Sequence, residues 1–243
     1  RRGYRAFAVG GFVRDILLGV KNLDLDIVIE GSAIDFGKHL AKSLRGSLVT
    51  YSKFGTATVI IDRPKGLETR GSSGFRIDLA TARKESYEKP AALPTVEHSS
   101  LKNDLHRRDF TINAMAASLN KTSFGRLIDF FGGEKDLENG VIRVLHDGSF
   151  IDDPTRIFRA VRFEQRFGFR IDRYTENLIK HAIREGMFSK TQDQRIRDEI
   201  MLILKEKDPL KAILRMKELH ELRFIHKKIR IKRSTEDLFG RIA

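Results

Sequence analysis

The sequence predicts an α+β protein, with a mixed sheet flanked by helices in the first half and an all-helical stretch after it. Three observations carry this. Short apolar runs of strand composition alternate with helical patterns up to about residue 140. A stretch rich in Gly, Ser and Pro separates two of those runs in the manner of a hairpin. From Pro154 onward, apolar residues recur at i, i+3 and i+4 almost without interruption.

Taken in order, Tyr4 to Val9 reads as a strand, and Gly10-Gly11 turns the chain into a short helix, Phe12 to Leu18, closed by Gly19. "NLDLDIVIEG", Asn22 to Gly31, is the second strand; Asp24 and Asp26 interrupt its otherwise apolar run. "SAIDFGKHLAKSL" sets Ile34, Phe36, Leu40, Ala41 and Leu44 near a 3.6 period behind Ser32 as N-cap, which predicts an amphipathic helix. "TATVIID" and "FRIDLATAR" read as two strands joined by the loop "RPKGLETRGSSG". After the extended "EKPAALPTVEHSS", a helix is predicted from near Leu101 towards "RRDFTINAMAASL". "RLIDFFGGEKDLENGVIRVL" then gives a strand, a Gly-Gly turn and a short helical piece. Four helices follow, in "PTRIFRAVRFEQRF", "RYTENLIKHAIREG", "QRIRDEIMLILKE" and "DPLKAILRMKELHEL", and the change of pattern places a domain boundary near Asn139.

Composition narrows the class. The 243 residues are 40% apolar, enough for an ordinary packed core, and carry 46 Lys and Arg against 33 Asp and Glu. The formal charge of +13 favours a polyanionic partner, nucleic acid or an acidic membrane surface. No run of 18 apolar residues and no signal-peptide pattern occurs, and the lack of cysteine excludes disulfides and thiolate metal sites; a cytoplasmic address fits. The abrupt start and the uncapped end suggest a fragment of a longer protein.

Four constellations carry chemistry. Residues i and i+2 of a strand share a face, so Asp24 and Asp26 stand side by side, about 7 Å apart at Cα. Their mutual repulsion is relieved by a bridging cation, and hard oxygen donors favour Mg²⁺. The competing reading is a solvated strand end. Asp78, on a neighbouring predicted strand, can complete such a site. Gly10-Gly11, with Arg14 one turn into the helix, offers backbone N–H groups and a guanidinium to a phosphate. "NDLHRRDFTINAMA" is a dense polar cluster of Asp104, Arg107, Arg108, Asp109 and Asn113. In "IDDPTRIFRAVRFEQRF", Asp153, Arg156, Arg159 and Arg162 form one drifting helical stripe, in which an acceptor beside guanidinium donors matches the edge of a nucleobase.

"GGFVRDILLG", "LDLDIVIEG", "RRDFTINAMA", "DDPTRIFRAVRF" and "QRIRDEIMLIL" resemble, in order and spacing, the motifs of bacterial-type (class II) tRNA nucleotidyltransferases and the related bacterial poly(A) polymerases. The resemblance extends to about Lys205. It implies a polymerase-β-like nucleotidyltransferase head over 1–138, a helical nucleotide-binding neck over 139–205, and the start of a helical body over 206–243. It further implies that Asp24 and Asp26 hold two Mg²⁺ ions, with Asp78 in the place of a third catalytic carboxylate. Gly10, Gly11 and Arg14 would meet the triphosphate, and Arg108, flanked by Arg107 and Asp109, would meet the nucleotide. Asp153 and Arg156 would read the base, while Arg159 and Arg162 line the same pocket. The family's base-reading motif commonly begins Glu-Asp where this chain has Asp152-Asp153. The implied reaction adds CMP, AMP or both, from CTP and ATP, to the 3′ end of tRNA. Poly(A) synthesis is the alternative within the family, and a non-catalytic basic RNA-binding module the alternative outside it. RNA phosphates would account for the basic excess, including "HKKIRIKR" near the C-terminus.

Overall fold

The computed structural model describes residues 4–61 and 74–219, and the chain divides into two compact units. The first takes the chain up to Ser86 together with Thr95–Glu134; the second takes Tyr87–Pro94 and the chain from Lys135 onward.

The first unit follows the order β1 (Arg5–Val9), α1 (Gly11–Leu17), β2 (Leu25–Glu30), α2 (Ala33–Leu44), β3 (Ser47–Tyr51), β4 (Thr56–Ile61), β5 (Phe75–Thr81), β6 (Arg83–Ser86), β7 (Thr95–His98), α3 (Leu101–His106), β8 (Met115–Ser118) and β9 (Leu127–Asp129). Seven of these strands form one sheet in the order β3-β4-β5-β2-β1-β8-β9, and β6 and β7 form a separate hairpin. β2 and β5 run parallel, whereas the other pairs of the large sheet are antiparallel. The predicted hairpin "TATVIID"–"FRIDLATAR" is the β4–β5 pair, and its loop falls outside the described residues.

Strand alternation sorts the residues of the sheet. Ile27, Ile29, Ala57, Val59, Ile77 and Leu79 are buried in one cluster, with Leu25, Ile34, Phe36, Leu40 and Leu48 packed against it. Burying each large aliphatic group of this kind contributes about 1.5–3 kcal/mol. The predicted helix is α2, and the Ser32 Oγ accepts from the Asp35 N–H at 3.1 Å as its cap. Gly37 lets α2 approach the sheet closely, since a Cβ there would come within 3.0 Å of Leu48 and 3.1 Å of Leu79. The alternate residues of the same strands, Asp26, Asp78 and Thr58, are cross-strand partners in one row on the other face.

One predicted element is corrected. The helix expected from near Leu101 towards "RRDFTINAMAASL" ends at His106, gives way to a 3-10 turn at Thr111–Asn113, and the chain continues as β8, between β1 and the edge strand β9. The Asp109 Oδ1 accepts from the Phe110 N–H at 2.8 Å, a local bond that diverts the chain from the helix, and the small residues of β8 pair with those of β1.

The second unit is helical apart from a two-residue parallel ladder. After α4 (Gly133–Glu138), at whose start the two units meet in sequence, it contains β10 (Val141–Ile142), α5 (Ser149–Asp152), α6 (Arg156–Phe167), β11 (Arg170–Ile171), α7 (Arg173–Arg184), α8 (Asp193–Leu204) and α9 (Pro209–Glu218). The four predicted helices correspond to α6 to α9. Among the described residues, no helix is long and apolar enough to cross a membrane.

Candidate active site

Asp24 lies one residue before the first ladder pair of β2, Leu25 with Ile77, and so stands outside the ladders to both neighbouring strands. Its N–H is held instead by the Asn22 Oδ1 at 2.8 Å. Asp26 and Asp78 are Cα partners on adjacent strands, about 4.8 Å apart by strand spacing. Both line a cleft of about 420 Å³ over the sheet, together with Tyr51, Thr58, Arg76, Arg107 and Arg108. The Thr58 hydroxyl donates to the Asp78 Oδ1 at 2.5 Å, and the Arg76 guanidinium stands 3.8 Å from the same oxygen.

These carboxylates crowd one another. Partial withdrawal from water and then the charge of Asp24 push the Asp26 carboxyl up to about 6; Arg108 opposes the shift and Asp78 adds to it. A carboxyl raised in this way gains from a cation. Among the described residues, no three His, Asp or Glu side chains converge closely enough to cage a metal by themselves. Asp26 and Asp78 present hard carboxylate oxygens to the cleft, the donor type that Mg²⁺ takes one or two at a time alongside water and substrate phosphates.

The wall on the β1 side is built around Gly10 and Arg108. Gly10 has φ +71° and ψ −135°, and a Cβ there would come within 2.6 Å of the Arg108 Nη1, so the guanidinium lies directly against the turn. Asp104, fully buried, holds this group in place. Its Oδ2 accepts from the Arg108 Nη2 at 3.2 Å, and its Oδ1 accepts from the Arg107 Nη2 at 2.8 Å and Nε at 3.0 Å. Glu85 takes the Arg107 Nη1 at 3.1 Å. A buried carboxylate thus aims the two arginines of "RRD".

Arg14 is only 5% exposed and points inward: its Nε and Nη2 bond the Asp15 Oδ1 at 2.8 and 2.7 Å, and its Nη1 donates to the Asn113 Oδ1 at 2.6 Å. The guanidinium is held by these protein partners beneath the Gly10-Gly11 turn, with its Nη2 3.4 Å from where a Cβ on Gly11 would stand.

In the second unit the α6 stripe is divided. The Asp153 Oδ1 accepts from the Thr155 N–H at 3.1 Å and hydroxyl at 2.6 Å, and its Oδ2 pairs with the Arg195 Nη2 at 2.7 Å. Arg156 is buried and donates from Nη1 to the Ser149 hydroxyl at 2.7 Å. Arg159 and Arg162 both face Glu199 of α8, at 3.6 and 3.4 Å, and Arg162 also faces Glu206 at 3.7 Å. Arg162 is 5% exposed, and burial draws its pKa down. It ties α6 to α8 through Glu199. Burial, then the neighbouring Asp153 charge, raises the Asp152 carboxyl, against the pull of Arg156. Arg195, in the motif "QRIRDEIMLIL", was assigned no part from sequence although its motif was legible there.

The seven-stranded sheet with its cleft of carboxylates and arginines is a head of the kind that CCA-adding enzymes carry. The chain belongs to the family of the poly A polymerase head domain, whose model matches residues 6–143. An A-adding tRNA nucleotidyltransferase of Geobacter sulfurreducens is 52% identical over 90% of this chain and 24% of its own length. Another, of Halalkalibacterium halodurans, is 44% identical over 88% and 48%. Among solved structures, a CCA-adding enzyme in an apo form superposes with a TM-score of 0.90 at 51% identity, covering 98% of this chain and 55% of that one. The Thermotoga maritima CCA-adding enzyme complexed with tRNA gives 0.84 at 49%, covering 98% and 53%. Similar CCA-adding enzymes have been solved with ATP, at 48% identity and TM-score 0.83, and with CTP, at 49% and 0.84; this chain is covered to 98% in both and theirs to 54% and 52%. The chain thus spans between about a quarter and about half of the length of these relatives.

Proposed function

We propose that the protein is a template-independent RNA nucleotidyltransferase that adds AMP, CMP or both, from ATP and CTP, to the 3′ end of tRNA. The observation that carries this reading is the row of Asp26 and Asp78 across β2 and β5, with Asp24 at the strand's entry and Arg108 against Gly10 beside it. The names of the relatives, A-adding and CCA-adding enzymes, support the same substrate class. The head would extend over 1–138, the neck over 139–205 and the body from 206, and a tRNA substrate implies a cytoplasmic location.

Asp24 and Asp26 would hold two Mg²⁺ ions, with Asp78 as a third carboxylate beside them. When bound, such ions supply Lewis acidity towards the RNA hydroxyl and charge neutralisation at the pyrophosphate. Arg108, aimed by Asp104, would bind the nucleotide, and the Gly10-Gly11 backbone would admit its triphosphate close to the turn. Thr58 keeps the Asp78 carboxylate oriented. Asp153 and Arg156 would present an acceptor and donors to the base edge, with Arg159 at their border. Transfer proceeds by in-line attack on the α-phosphorus, for which the chain's residues supply position and charge rather than a covalent intermediate.

The test is incorporation by the full-length protein from each NTP separately, on tRNA ending in -N, -C or -CC and on a generic RNA. Single or triple additions confined to tRNA are expected. Long tails on any RNA would establish the poly(A) polymerase reading instead, and equal incorporation by Asp24→Ala and Asp26→Ala would sink the carboxylate assignment.

A further inference from the structure

Beneath the cleft a continuous file of polar side chains runs through the first unit and ends on Asp24. The Asp109 Oδ1 accepts from the Asn113 Nδ2 at 3.0 Å, which turns the Asn113 Oδ1 towards the Arg14 Nη1 at 2.6 Å. Arg14 spends both Nε and Nη2 on a single oxygen of Asp15, Oδ1. The other, Oδ2, accepts from the Asn22 Nδ2 at 2.8 Å, and the Asn22 Oδ1 accepts from the Asp24 N–H at 2.8 Å. Asp109, Asn113, Arg14 and Asp15 are all less than 10% exposed.

Each link has a polarity. Asn22 must present its amide nitrogen to Asp15 and its oxygen to Asp24; the reverse orientation sets oxygen against carboxylate and N–H against N–H. Asp24 lies outside the β2 ladders, so this terminal bond fixes the entry of the strand where the ladder does not. The same bond closes an Asx turn, the conformation that lets a side-chain oxygen hold the N–H two residues on.

We infer that Asn22 and Asp15 are positioning residues for the Asp24 carboxylate, and that the file through Arg14 and Asn113 couples "GGFVRD" and "RRDFTIN" to the metal-binding end of β2. The role rests on the functional reading of Asp24 given above. Partners that orient metal ligands are worth about 10- to 100-fold in metal affinity or activity.

Three variants of the full-length protein test it: Asn22→Ala, Asp15→Asn, and the double exchange Asp15→Asn with Asn22→Asp. In the single Asp15→Asn, an amide N–H₂ meets that of Asn22 or forces it to flip. In the double exchange, the new amide at 15 donates to the new carboxylate at 22, whose second oxygen again accepts from Asp24, and net charge is unchanged. Two measurements serve: calorimetric titration of Mg²⁺ with a non-hydrolysable ATP analogue, and hydrogen exchange at the Asp24 amide. Each single variant is expected to weaken Mg²⁺ about 10-fold or more and to speed exchange at Asp24, and the double exchange to restore both. Singles that match the wild type in both measurements would overturn the role, as would a double variant as impaired as its parents combined. If Asp15→Asn fails to fold, Asn22→Ala, at a half-buried loop position, still decides the matter. A wild-type protein that takes up no Mg²⁺ beside the ATP analogue would overturn the functional reading and this role with it. Normal uptake with an unresponsive Asn22→Ala removes this role alone.

Discussion

Gly10→Ala puts a methyl group where the cleft wall leaves no room. Two costs arise. The backbone at φ +71° and ψ −135° lies in a region that only glycine enters readily, and holding alanine there costs about 1–3 kcal/mol. The new Cβ would meet the Arg108 Nη1 at 2.6 Å, so the guanidinium must retreat by about 1 Å to reach ordinary contact. That movement strains its 3.2 Å bond to the buried Asp104, a charged hydrogen bond worth about 1.5–3 kcal/mol. The sum, about 2.5–6 kcal/mol if the bond is lost, corresponds to a fall in Tm of about 5–24 °C in a chain of this size. Nucleotide affinity should fall with it, because the displaced group is the proposed nucleotide ligand. Gly11→Ala is the internal control: its Cβ would stand 3.4 Å from the Arg14 Nη2, at a helical position where alanine is favoured, so its Tm should stay within a few degrees. Thermal melts of both variants, with KM for ATP and CTP, decide it. Equal melting of Gly10→Ala and wild type with unchanged KM would refute the contact between Arg108 and the turn.

Asp104→Ala should destabilise the first unit by about 3–5 kcal/mol in chemical denaturation, because it removes the buried carboxylate that two guanidiniums share. Arg162→Met should cost a similar amount by removing the cation between Glu199 and Glu206, yet leave KM for nucleotide unchanged; a raised KM with normal stability would return Arg162 to the nucleotide pocket. The pH dependence follows from Asp26. Its carboxyl sits at about 6 in the folded protein against an ordinary 3.8, so the folded state binds the extra proton between those values, and stability falls as pH rises through that window. Mg²⁺ binding to the ionised group offsets this, so the affinity for Mg²⁺ should climb with pH up to about 6 and level off above it. Asp24→Asn removes the second-largest cause of the shift, so the Asp26 titration, followed by NMR, should move to lower pH; an unmoved midpoint would show that the two carboxylates are not neighbours in charge.

Much of this was legible in the chain. The alternation of "NLDLDIVIEG" predicted both halves of β2: Ile27 is buried in the core, Leu25 packs against it, and Asp26 lies in the cleft. Ser32 announced α2, and the 3.6 period announced α6 to α9. β8 was not legible, because "NAMAAS" favours a helix by propensity and becomes a strand only by pairing with β1, more than a hundred residues earlier. The charge spacing was read as one helical stripe, whereas Asp153 falls in the turn before α6, and Glu199 and Glu206 reach its arginines from elsewhere in the chain. The internal partners of Arg14 were hidden for a related reason. No local pattern shows that an arginine one turn into a helix after Gly-Gly also bonds Asn113, ninety-nine residues on.

The path of the chain between Ser86 and Thr95 bears on how the gene can be cut. Residues 87–94 belong to the second unit, where the Ala91 N–H donates to the Ile151 carbonyl at 3.0 Å, yet they are encoded between two segments of the first. Three peptide junctions, not one, therefore separate the units. A clone that begins at Lys135 would omit part of what it is meant to contain, and a deletion in "EKPAALP" would register as a defect in helices encoded some sixty codons downstream. Separate expression of the second unit calls for residues 87–94 to be spliced ahead of it, so the boundary is better regarded as an exchange of territory than as a hinge in the reading frame.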